Sequence, residues 1–432
     1  MRNIILTLLL VPVFSALGQT PMEKYEGKIL FKGGTLHVGN GDVIDRALIG
    51  VENGRITLVK SGLTYTIDKT EYDTVIELSG KHIYPGFINT NNTLGITEID
   101  AVRPTLDFNE TGLYNPNVKT GIAFNTESEV VYTVRTNGIL YTQCTPRGGY
   151  VSGMSSIVSL DGWNWEDAVV KMEDGIHVNW PEKITSSGWW ANPGPNVKNK
   201  KYDENRDELI QFIKSAKAYC EKKNYDQKNL KFEAFRGVFD GEKRIYFHAD
   251  FANEINEIID LSRELKFNFP VIVGGYDSWL LVERLKENKF SVILDRIHGL
   301  PEFDEDDVNL RYKLPLKLKE AGVLYCLSMH GDMEAMNSRN LPFQAGTARS
   351  FGLSKEDAVQ SISLNVAKIL GIDKDLGSVE EGKLASFFVS EGDALDMKTN
   401  KVILAFMNGR FLNLVNRQQQ LYETYSNKYK SE

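Results

Sequence analysis

Three histidines stand where this sequence could carry out metal chemistry. His177, His248 and His330 each lie within or directly after a short apolar run, in "DGIHVNWP", "RIYFHAD" and "CLSMHGDM". Three imidazoles are a sufficient ligand set for zinc, and zinc-bound water ionises near neutral pH. Asp250 shares a strand face with His248, because residues i and i+2 point the same way, and Asp332 follows His330 by two positions. This set predicts a hydrolytic site in which Asp332 or Asp250 moves protons.

Each of these histidines also has an ordinary structural interpretation. His248 is equally well explained as a core histidine whose ring nitrogens are satisfied by neighbours. His177 and His330 are equally open to structural or surface roles. Residue types alone do not choose between a metal site and three separate structural side chains, so both interpretations stand at this point.

The elements that must position these residues alternate along the chain. After residue 88, short and nearly all-apolar strand patterns alternate with segments that carry apolar residues at helical spacing. The strand patterns are "GILYTQC", "SSIVSL", "GIHVNW", "RIYFHAD", "FPVIVGG", "SVILD" and "GVLYCLS". The helical patterns are "DELIQFIKSAKAYCEKK", "NEINEIIDLSRELK", "WLLVERLKENK" and "KEDAVQSISLNVAKILG". Alternation of this kind predicts a parallel sheet covered by helices, here an α/β (β/α)8 TIM barrel.

Strand and turn patterns without helices occupy both ends of the chain. The start is rich in Val, Ile, Thr and Tyr, and "ENGR" predicts a tight hairpin because Asn-Gly tolerates positive φ. We therefore expect a small β-sandwich built from residues 27–84 and 377–416, a distorted barrel over 85–376, and a polar C-terminal tail over 417–432.

The N-terminal stretch "MRNIILTLLLVPVFSALGQT" resembles a secretory signal. One basic residue precedes an apolar run that is short for a membrane span, and Ala16 and Gly18 occupy the small-residue positions before a cut at Gln19. Residues 1–18 are therefore predicted to be a signal peptide, with the mature chain secreted or periplasmic. No later stretch is apolar enough to predict a membrane span.

Composition excludes several classes of protein. The 432 residues carry a formal net charge of −8 without a dense basic stripe, so nucleic acid is not an expected partner. Cys144, Cys220 and Cys326 form no CxxC pair and are odd in number, which argues against a disulfide framework.

Two further segments could contribute to a ligand site. The glycine-rich "TPRGGYVSG" follows a strand and has backbone N–H groups to offer an anion, but it lacks the ending of a P-loop. Five tryptophans fall close together in sequence and could either line a ligand pocket or pack an outer loop. They are Trp163, Trp165, Trp180, Trp189 and Trp190.

Several motifs resemble those of the amidohydrolase superfamily, in particular its imidazolonepropionase-like branch. "PGFINTNN" is similar to the family's P-G-[FL]-I-D-x-H-x-H. "RNLPFQAGTARSFGLSKEDAVQSISLNVAKILGI" resembles its final barrel helices, and "GSVEEGKLASFFVSEGDAL" resembles its returning sandwich strand. The resemblance covers nearly the whole mature chain. It implies a barrel that holds one or two divalent metals at the carboxyl ends of its strands.

The resemblance also implies that most metal positions are substituted. Asn91 and Thr93 occupy the two HxH positions, and Gly274 stands where the sixth strand would supply a histidine. Neutral amide and hydroxyl groups are weak zinc ligands. His248 matches the fifth-strand histidine, and His177 stands in place of a bridging lysine. The site is therefore either dismantled or rebuilt around His177, His248 and His330.

Two functions follow as expectations from the resemblance. The first is hydrolysis of a carbon–nitrogen bond in a small, cyclic amide, with one divalent metal such as zinc if the site is functional. The second is a catalytically silent protein, without a metal, that binds a small molecule or a partner. That partner would be a second copy of the chain or a metal-competent paralogue.

Overall fold

The computed structural model describes residues 20–185, 187–189, 192–222 and 227–430. The predicted signal peptide, residues 1–18, lies outside these ranges. The strands are β1 (Ile29–Lys32), β2 (Thr35–His37), β3 (Val43–Ile44), β4 (Ala47–Glu52), β5 (Arg55–Ser61), β6 (Thr74–Glu77), β7 (His82–Pro85), β8 (Phe87–Asn92), β9 (Ile139–Cys144), β10 (Val151–Ser159), β11 (Val169–Asn179), β12 (Ile184–Thr185), β13 (Gly188–Trp189), β14 (Asn192–Pro193), β15 (Val197–Lys198), β16 (Arg244–Ala249), β17 (Pro270–Gly274), β18 (Ser291–Leu294), β19 (Tyr325–Leu327), β20 (Phe387–Ser390), β21 (Val402–Met407) and β22 (Arg410–Phe411).

The α-helices vary from four to nineteen residues in length. They are α1 (Glu129–Arg135), α2 (Trp165–Ala168), α3 (Tyr202–Cys220), α4 (Leu230–Glu233), α5 (Arg236–Phe239), α6 (Ala252–Leu265), α7 (Val282–Glu287), α8 (Leu310–Ala321), α9 (Glu334–Asn337), α10 (Leu341–Ser350), α11 (Lys355–Gln360), α12 (Leu364–Leu370) and α13 (Arg417–Lys430). None of the helices in the described ranges combines the length and the apolar character that crossing a bilayer requires.

Two sheets are built from the ends of the chain. The first has the order β5-β4-β1-β6, and the second has the order β22-β21-β20-β7-β2-β3. In the second sheet the two ends meet, because β20 pairs antiparallel with β7. The sheets share one hydrophobic core, in which the rings of Phe31 and Phe387 lie edge to face with centroids 4.9 Å apart. The shared core supports the predicted two-part β-structure, while the exact domain boundaries stay predictions.

The predicted hairpin at "ENGR" is present. Glu52 of β4 pairs with Arg55 of β5, and the two turn residues, Asn53 and Gly54, have φ of 51° and 72°. Positive φ at both central positions is the geometry that matches the twist of two antiparallel strands, and Asn-Gly adopts it at low cost.

The eight-stranded sheet that follows is a nearly closed barrel with the order β19-β18-β17-β16-β11-β10-β9-β8. All seven predicted strand patterns lie in it. The expectation of a fully parallel sheet is wrong at one place, because β10 runs antiparallel to both β9 and β11. Only six residues, 145–150, join β9 to β10, and a parallel crossover needs a dozen or more.

A bent segment completes the barrel wall between β19 and β8. The backbone N–H of Ile88 donates to Ile362 O at 3.0 Å, and that of Leu327 donates to Ser361 O at 3.1 Å. These carbonyls are available because the chain leaves its helical path after α11 and re-enters it at α12. The single helix predicted over "KEDAVQSISLNVAKILG" is therefore two helices with this closing segment between them.

Two predicted elements near the middle and the end of the chain are helices. The helix predicted to start at Asp207 starts earlier, at Tyr202, as α3. The polar tail forms α13, which buries none of its residues. All three cysteines are free, with Cys144 and Cys326 buried.

A buried ion pair joins the barrel to the C-terminal segment. Arg135 donates to Asp161 Oδ1 at 3.0 Å and to the backbone oxygen of Asn413 at 3.0 Å, and the side chains of the pair are 2% and 6% exposed. Removing one member of a buried pair leaves an uncompensated charge. We expect Arg135→Met to lower the free energy of unfolding by about 3–5 kcal/mol in urea titrations.

The matched control for that measurement is Arg55→Met. Arg55 pairs with Asp375 at 2.9 Å, but both side chains are about half exposed, at 51% and 50%. An exposed pair contributes roughly 0.2–1 kcal/mol. Equal losses in the two variants would contradict the role given to Arg135.

Candidate functional site

The asparagine-rich end of β8 is explained by hydrogen bonds rather than by metal binding. Asn89 donates to Ser338 Oγ at 2.9 Å, and Asn92 donates to the backbone oxygen of Glu334 at 3.2 Å. Asn91 has φ of 47°, a left-handed conformation that Asn adopts more readily than most residues. The stretch therefore ties the end of the first barrel strand to α9 and the turn that follows it.

Arg147 is a side chain that sequence analysis did not single out. It lies in the glycine-rich loop after β9. Its guanidinium donates to Asn91 Oδ1 at 2.6 Å, to Asn91 O at 2.8 Å, and to both carboxylate oxygens of Glu334 at 2.8 and 3.0 Å. With a further bond from Nε to Glu334 Oε1 at 3.3 Å, five charge-assisted hydrogen bonds hold the cation in one place. Arg147 therefore joins the ends of β8 and β9 to α9.

Two of the predicted histidines contact each other. His177 in β11 and His248 in β16 lie on adjacent parallel strands, and His177 Nδ1 is 2.9 Å from His248 Nε2. His177 is fully buried and stacks on the ring of Tyr246 at a centroid distance of 4.4 Å. His248 is half-buried. The structure brings this pair together as neutral partners of one hydrogen bond.

The third predicted histidine has a different partner. His330 Nδ1 lies 3.0 Å from Asp295 Oδ2, and the other oxygen of Asp295 accepts a hydrogen bond from Asn91 Nδ2 at 3.4 Å. Asp295 was missed in the sequence, although it is the last residue of "SVILD" and directly follows the buried strand β18. Carboxyl ends of parallel strands meet at one edge, so this position was a signal for a site residue.

Asp250 occupies the place that the resemblance assigned to the sixth-strand histidine. A side chain at Gly274 would meet Asp250 Oδ1 at 2.6 Å, and Gly274 has φ of 95°, which favours glycine. The Asp250 carboxylate accepts a hydrogen bond from the backbone N–H of Tyr276 at 3.3 Å. A histidine at position 274 would therefore strain the backbone and would displace the Asp250 carboxylate.

We call the space bordered by His248, Asp250, Asp295 and His330 the mouth recess. Asp250 is exposed to solvent there and the other three are half-buried, so all four side chains are at least partly accessible to solvent. Protein atoms nevertheless surround these groups closely enough to restrict their hydration. Poor hydration combined with access is the usual setting for perturbed acids and bases.

The two carboxyl groups of the mouth recess have pKa values on opposite sides of the ordinary one. Poor hydration, and then the charge of Asp295, raise the pKa of Asp250 to about 7. Burial would also raise the pKa of Asp295, but His330, followed by His248 and Arg147, lowers it to about 2. Asp295 is thus a permanent anion, and Asp250 exchanges its proton near neutral pH.

The two imidazoles of the recess also have pKa values on opposite sides of the ordinary one. Burial, and then the charges of Arg147 and His330, lower the pKa of His248 to about 3, so this ring is neutral. Burial also opposes a charge on His330, but the carboxylate of Asp295 outweighs it and raises the pKa of His330. The recess therefore holds a neutral imidazole and a second imidazole that is cationic below its raised pKa.

The remaining predicted residues lie apart from this arrangement. The side chain of Asp332 is exposed, and the contacts of this residue run through its backbone oxygen, which accepts from Arg296 and Asn337. Thr93 is buried. Of the tryptophans, Trp180 is buried against Phe247.

The other tryptophans do not line the mouth recess as far as the structure describes them. Trp163 is 60% exposed, and Trp165 packs against the main hydrophobic core. The indole groups of Trp189 and Trp190 lie outside the described part of the chain. The cluster predicted from sequence spacing is therefore not formed by Trp163, Trp165 and Trp180.

The donor set does not fit a divalent cation. Across the described ranges, no three His, Cys, Asp or Glu side chains are arranged to hold a metal. The amide oxygen of Asn91 is engaged by Arg147, His177 and His248 are engaged with each other, and Gly274 has no donor atom. The guanidinium of Arg147 would also repel a second cation.

Comparison with known proteins finds a family similarity over one part of the chain. Residues 275–412 match the sequence model of the amidohydrolase family. The amidohydrolase match begins after β17 and runs through β22, so it includes Asp295, His330 and Glu334 but not Asn91 or Arg147. None of the curated proteins searched matches the chain.

The fold is shared with solved structures over most of the chain. An amidohydrolase from Thermotoga maritima MSB8 superposes with a TM-score of 0.74 and 24% identity, over 89% of this chain and 99% of that one. A Xaa-Pro dipeptidase gives 0.53 and 15%, over 89% and 100%. A zinc-bound adenosine deaminase from Xanthomonas campestris gives 0.52 and 12%, over 94% and 99%. At these identities the likeness concerns the fold alone.

We call the contacts of Arg147 with Asn91 and Glu334 the Arg147 clamp, and they lead to a stability prediction. Arg147→Met leaves the Glu334 side chain, which is 9% exposed, with only the imidazole of His330 at 3.8 Å to balance its charge. We expect a loss of about 3 kcal/mol in the free energy of unfolding, measured in urea.

Arg296→Met is the control from the same end of the barrel. Arg296 donates to the backbone oxygen of Asp332 at 3.4 Å in an exposed setting, so its loss should cost about 1 kcal/mol or less. A loss for Arg147→Met no larger than that for Arg296→Met would show that the clamp does not hold the barrel mouth.

Proposed function

We propose that the whole mature chain is an amidohydrolase-superfamily protein of the imidazolonepropionase-like branch. In this proposal it hydrolyses a carbon–nitrogen bond of a small cyclic amide through carboxyl and imidazole groups of the mouth recess. The family match over residues 275–412 and the shared fold support the reaction class. Because the donor set does not fit a divalent cation, no step is assigned to a metal.

The observation that carries the proposal is that two carboxyl groups with different pKa values, those of Asp250 and Asp295, border one accessible recess. Asp250 projects into the space above Gly274, and Asp295 holds His330 at 3.0 Å. When the surroundings of two carboxyl groups separate their pKa values, the two groups can take different roles. Here Asp250 is suited to act as a base, and Asp295 is suited to hold the acid His330. Asp250 with a pKa of about 7 is suited to accept a proton at neutral pH.

The proposed reaction uses these groups in one order. Asp250 takes a proton from water as the water oxygen bonds to the amide carbon. Cationic His330, held by Asp295, gives a proton to the nitrogen as the carbon–nitrogen bond breaks. Asp250 returns its proton to solvent and His330 regains one, so the balance is one water added across one bond.

A second function is favoured by the Arg147 clamp and the His177–His248 pair. These side chains satisfy one another at the positions where the resemblance expects metal ligands. Such an arrangement suits a catalytically silent subunit that binds a small molecule, a second copy of the chain, or a metal-competent paralogue. We propose for either function that the mature protein is secreted or periplasmic, which N-terminal sequencing of the mature protein would test.

Replacement of Asp250 tests the hydrolytic proposal. Asp250→Asn keeps the shape of the side chain but cannot accept the proton, so we expect kcat/KM on cyclic amides such as hydantoins and lactams to fall by about 10²–10⁴-fold. In the unmodified protein kcat/KM should rise with pH through about 7 as Asp250 ionises, and should fall again above the raised pKa of His330 as that ring loses the proton it donates.

Asp332→Asn separates the two acids predicted from the sequence. The side chain of Asp332 is exposed, so this substitution should leave kcat/KM within about twofold if Asp250 is the base. A pH-independent rate, or a large loss in Asp332→Asn together with none in Asp250→Asn, would overturn the assignment.

Metal analysis provides an independent test. The mature protein should contain no near-stoichiometric zinc, iron or manganese, and dialysis against a chelator should change neither turnover nor the melting temperature. Near-stoichiometric metal together with loss of turnover on chelation would refute the metal-independent proposal. Absence of turnover on every amide tested would favour the silent subunit.

A further inference from the structure

The hydrogen bond between His177 and His248 leaves one nitrogen of each ring in a different environment. His177 Nε2 is buried and has no hydrogen-bond partner in the described part of the chain. His248 Nδ1 also has no protein partner there, but it is not among the buried unpaired atoms, so it is open to solvent. The accessible nitrogen of the pair therefore belongs to His248 and faces the mouth recess.

Two neutral proton arrangements are compatible with the 2.9 Å contact. In the first, His177 carries its proton on Nδ1 and donates to His248 Nε2, so the proton of His248 must be on Nδ1. In the second, His248 donates from Nε2, and the proton of His177 is on the buried Nε2. The first leaves a buried lone pair unpaired, whereas the second leaves a buried N–H unpaired.

The burial of His177 favours the first arrangement. Buried N–H groups without an acceptor are rarer in proteins than acceptors that lack a donor, and leaving a buried polar group unpaired costs about 1–3 kcal/mol.

The negative charge of Asp295 acts in the same direction, whereas the positive charges of Arg147 and His330 act against it, so the burial of His177 decides the arrangement. Asp295 is close enough to His248 for each to affect the pKa of the other. An anion in the recess stabilises a ring that presents an N–H and destabilises one that presents a lone pair. Burial, Arg147 and His330 keep the His248 ring itself uncharged.

We propose that His177 is a positioning residue that holds neutral His248 in its Nδ1–H form, so that His248 donates a hydrogen bond to the carbonyl oxygen of a small amide in the mouth recess. The proton arrangement stands on the geometry alone, and only the identity of the ligand rests on the proposed function. A fixed N–H donor at this place stabilises the negative charge that develops on a carbonyl oxygen when water attacks.

The protein with 15N-labelled histidine tests the arrangement directly. Long-range 1H–15N spectra distinguish the Nδ1–H, Nε2–H and cationic forms of a ring, and the chain has six histidines to assign. At pH 7 we expect His248 in the neutral Nδ1–H form and His177 in the neutral Nδ1–H form. An Nε2–H or cationic His248 would overturn the proposal.

Two variants separate positioning from a general structural role. His177→Asn retains a donor at the place of Nδ1 and should keep His248 in the Nδ1–H form. His177→Phe removes the donor while filling similar space, so His248 should relax to a mixture that contains the Nε2–H form. An unchanged His248 spectrum in His177→Phe would refute the positioning role, and His177→Ala replaces this variant if it does not fold.

A cyclic carbonyl compound that has no carbon–nitrogen bond to hydrolyse reports on the donated hydrogen bond. Titration with cyclopentanone should shift the His248 Nδ1 resonance, and binding should weaken about fivefold in His177→Phe but not in His177→Asn. A ligand that binds without moving this resonance contradicts the assigned donor. Lack of turnover with the Nδ1–H form present contradicts the hydrolytic function and leaves the proton arrangement standing.

Discussion

A single guanidinium sets the properties of the open end of the barrel. Arg147 fastens the ends of two strands to α9 through Asn91 and Glu334, and its charge also acts on groups that it does not touch. After burial, it lowers the pKa of His248, and after His330 and His248 it also lowers the pKa of Asp295. Asp295 in turn favours the cation on His330 and, after burial, raises the pKa of Asp250. The separation of acids and bases in the recess therefore depends on burial and on a connected set of charges that includes this cation.

The substituted positions are each required by a local feature of the fold. Asn91 suits a left-handed backbone and satisfies two N–H groups of Arg147 through its side-chain and backbone oxygens. Gly274 is needed because its φ is 95° and because the Asp250 carboxylate fills the adjacent space. Restoring histidine at one of these positions would break an existing interaction before it could form a new one. The changes behave as one coupled set and not as independent losses.

Much of the fold was predictable from sequence because its signals are local. Strand patterns such as "SVILD" and the Asn-Gly turn depend on neighbouring residues, and each formed as predicted. The site was predicted only in part. His177, His248, Asp250 and His330 were found because they follow strand patterns, and Asp295 follows one too but was overlooked. Arg147 could not be found in this way, because its role depends on Asn91 and Glu334, which are 56 and 187 positions away. The antiparallel β10 could have been inferred from the short loop before it.

The junctions between neighbouring segments of the barrel wall differ in their backbone hydrogen bonding. Seven of its junctions are ladders between neighbouring strands, whereas the eighth joins β19 to β8 through the carbonyls of Ser361 and Ile362. We expect local opening of the barrel to be easiest at this junction, because fewer backbone hydrogen bonds resist separation there. That junction lies beside β8, the strand that contains Asn91. The carbonyls of Ser361 and Ile362 therefore support the same strand that Arg147 holds from its other end, so residues far from the recess in sequence contribute to the position of Asn91.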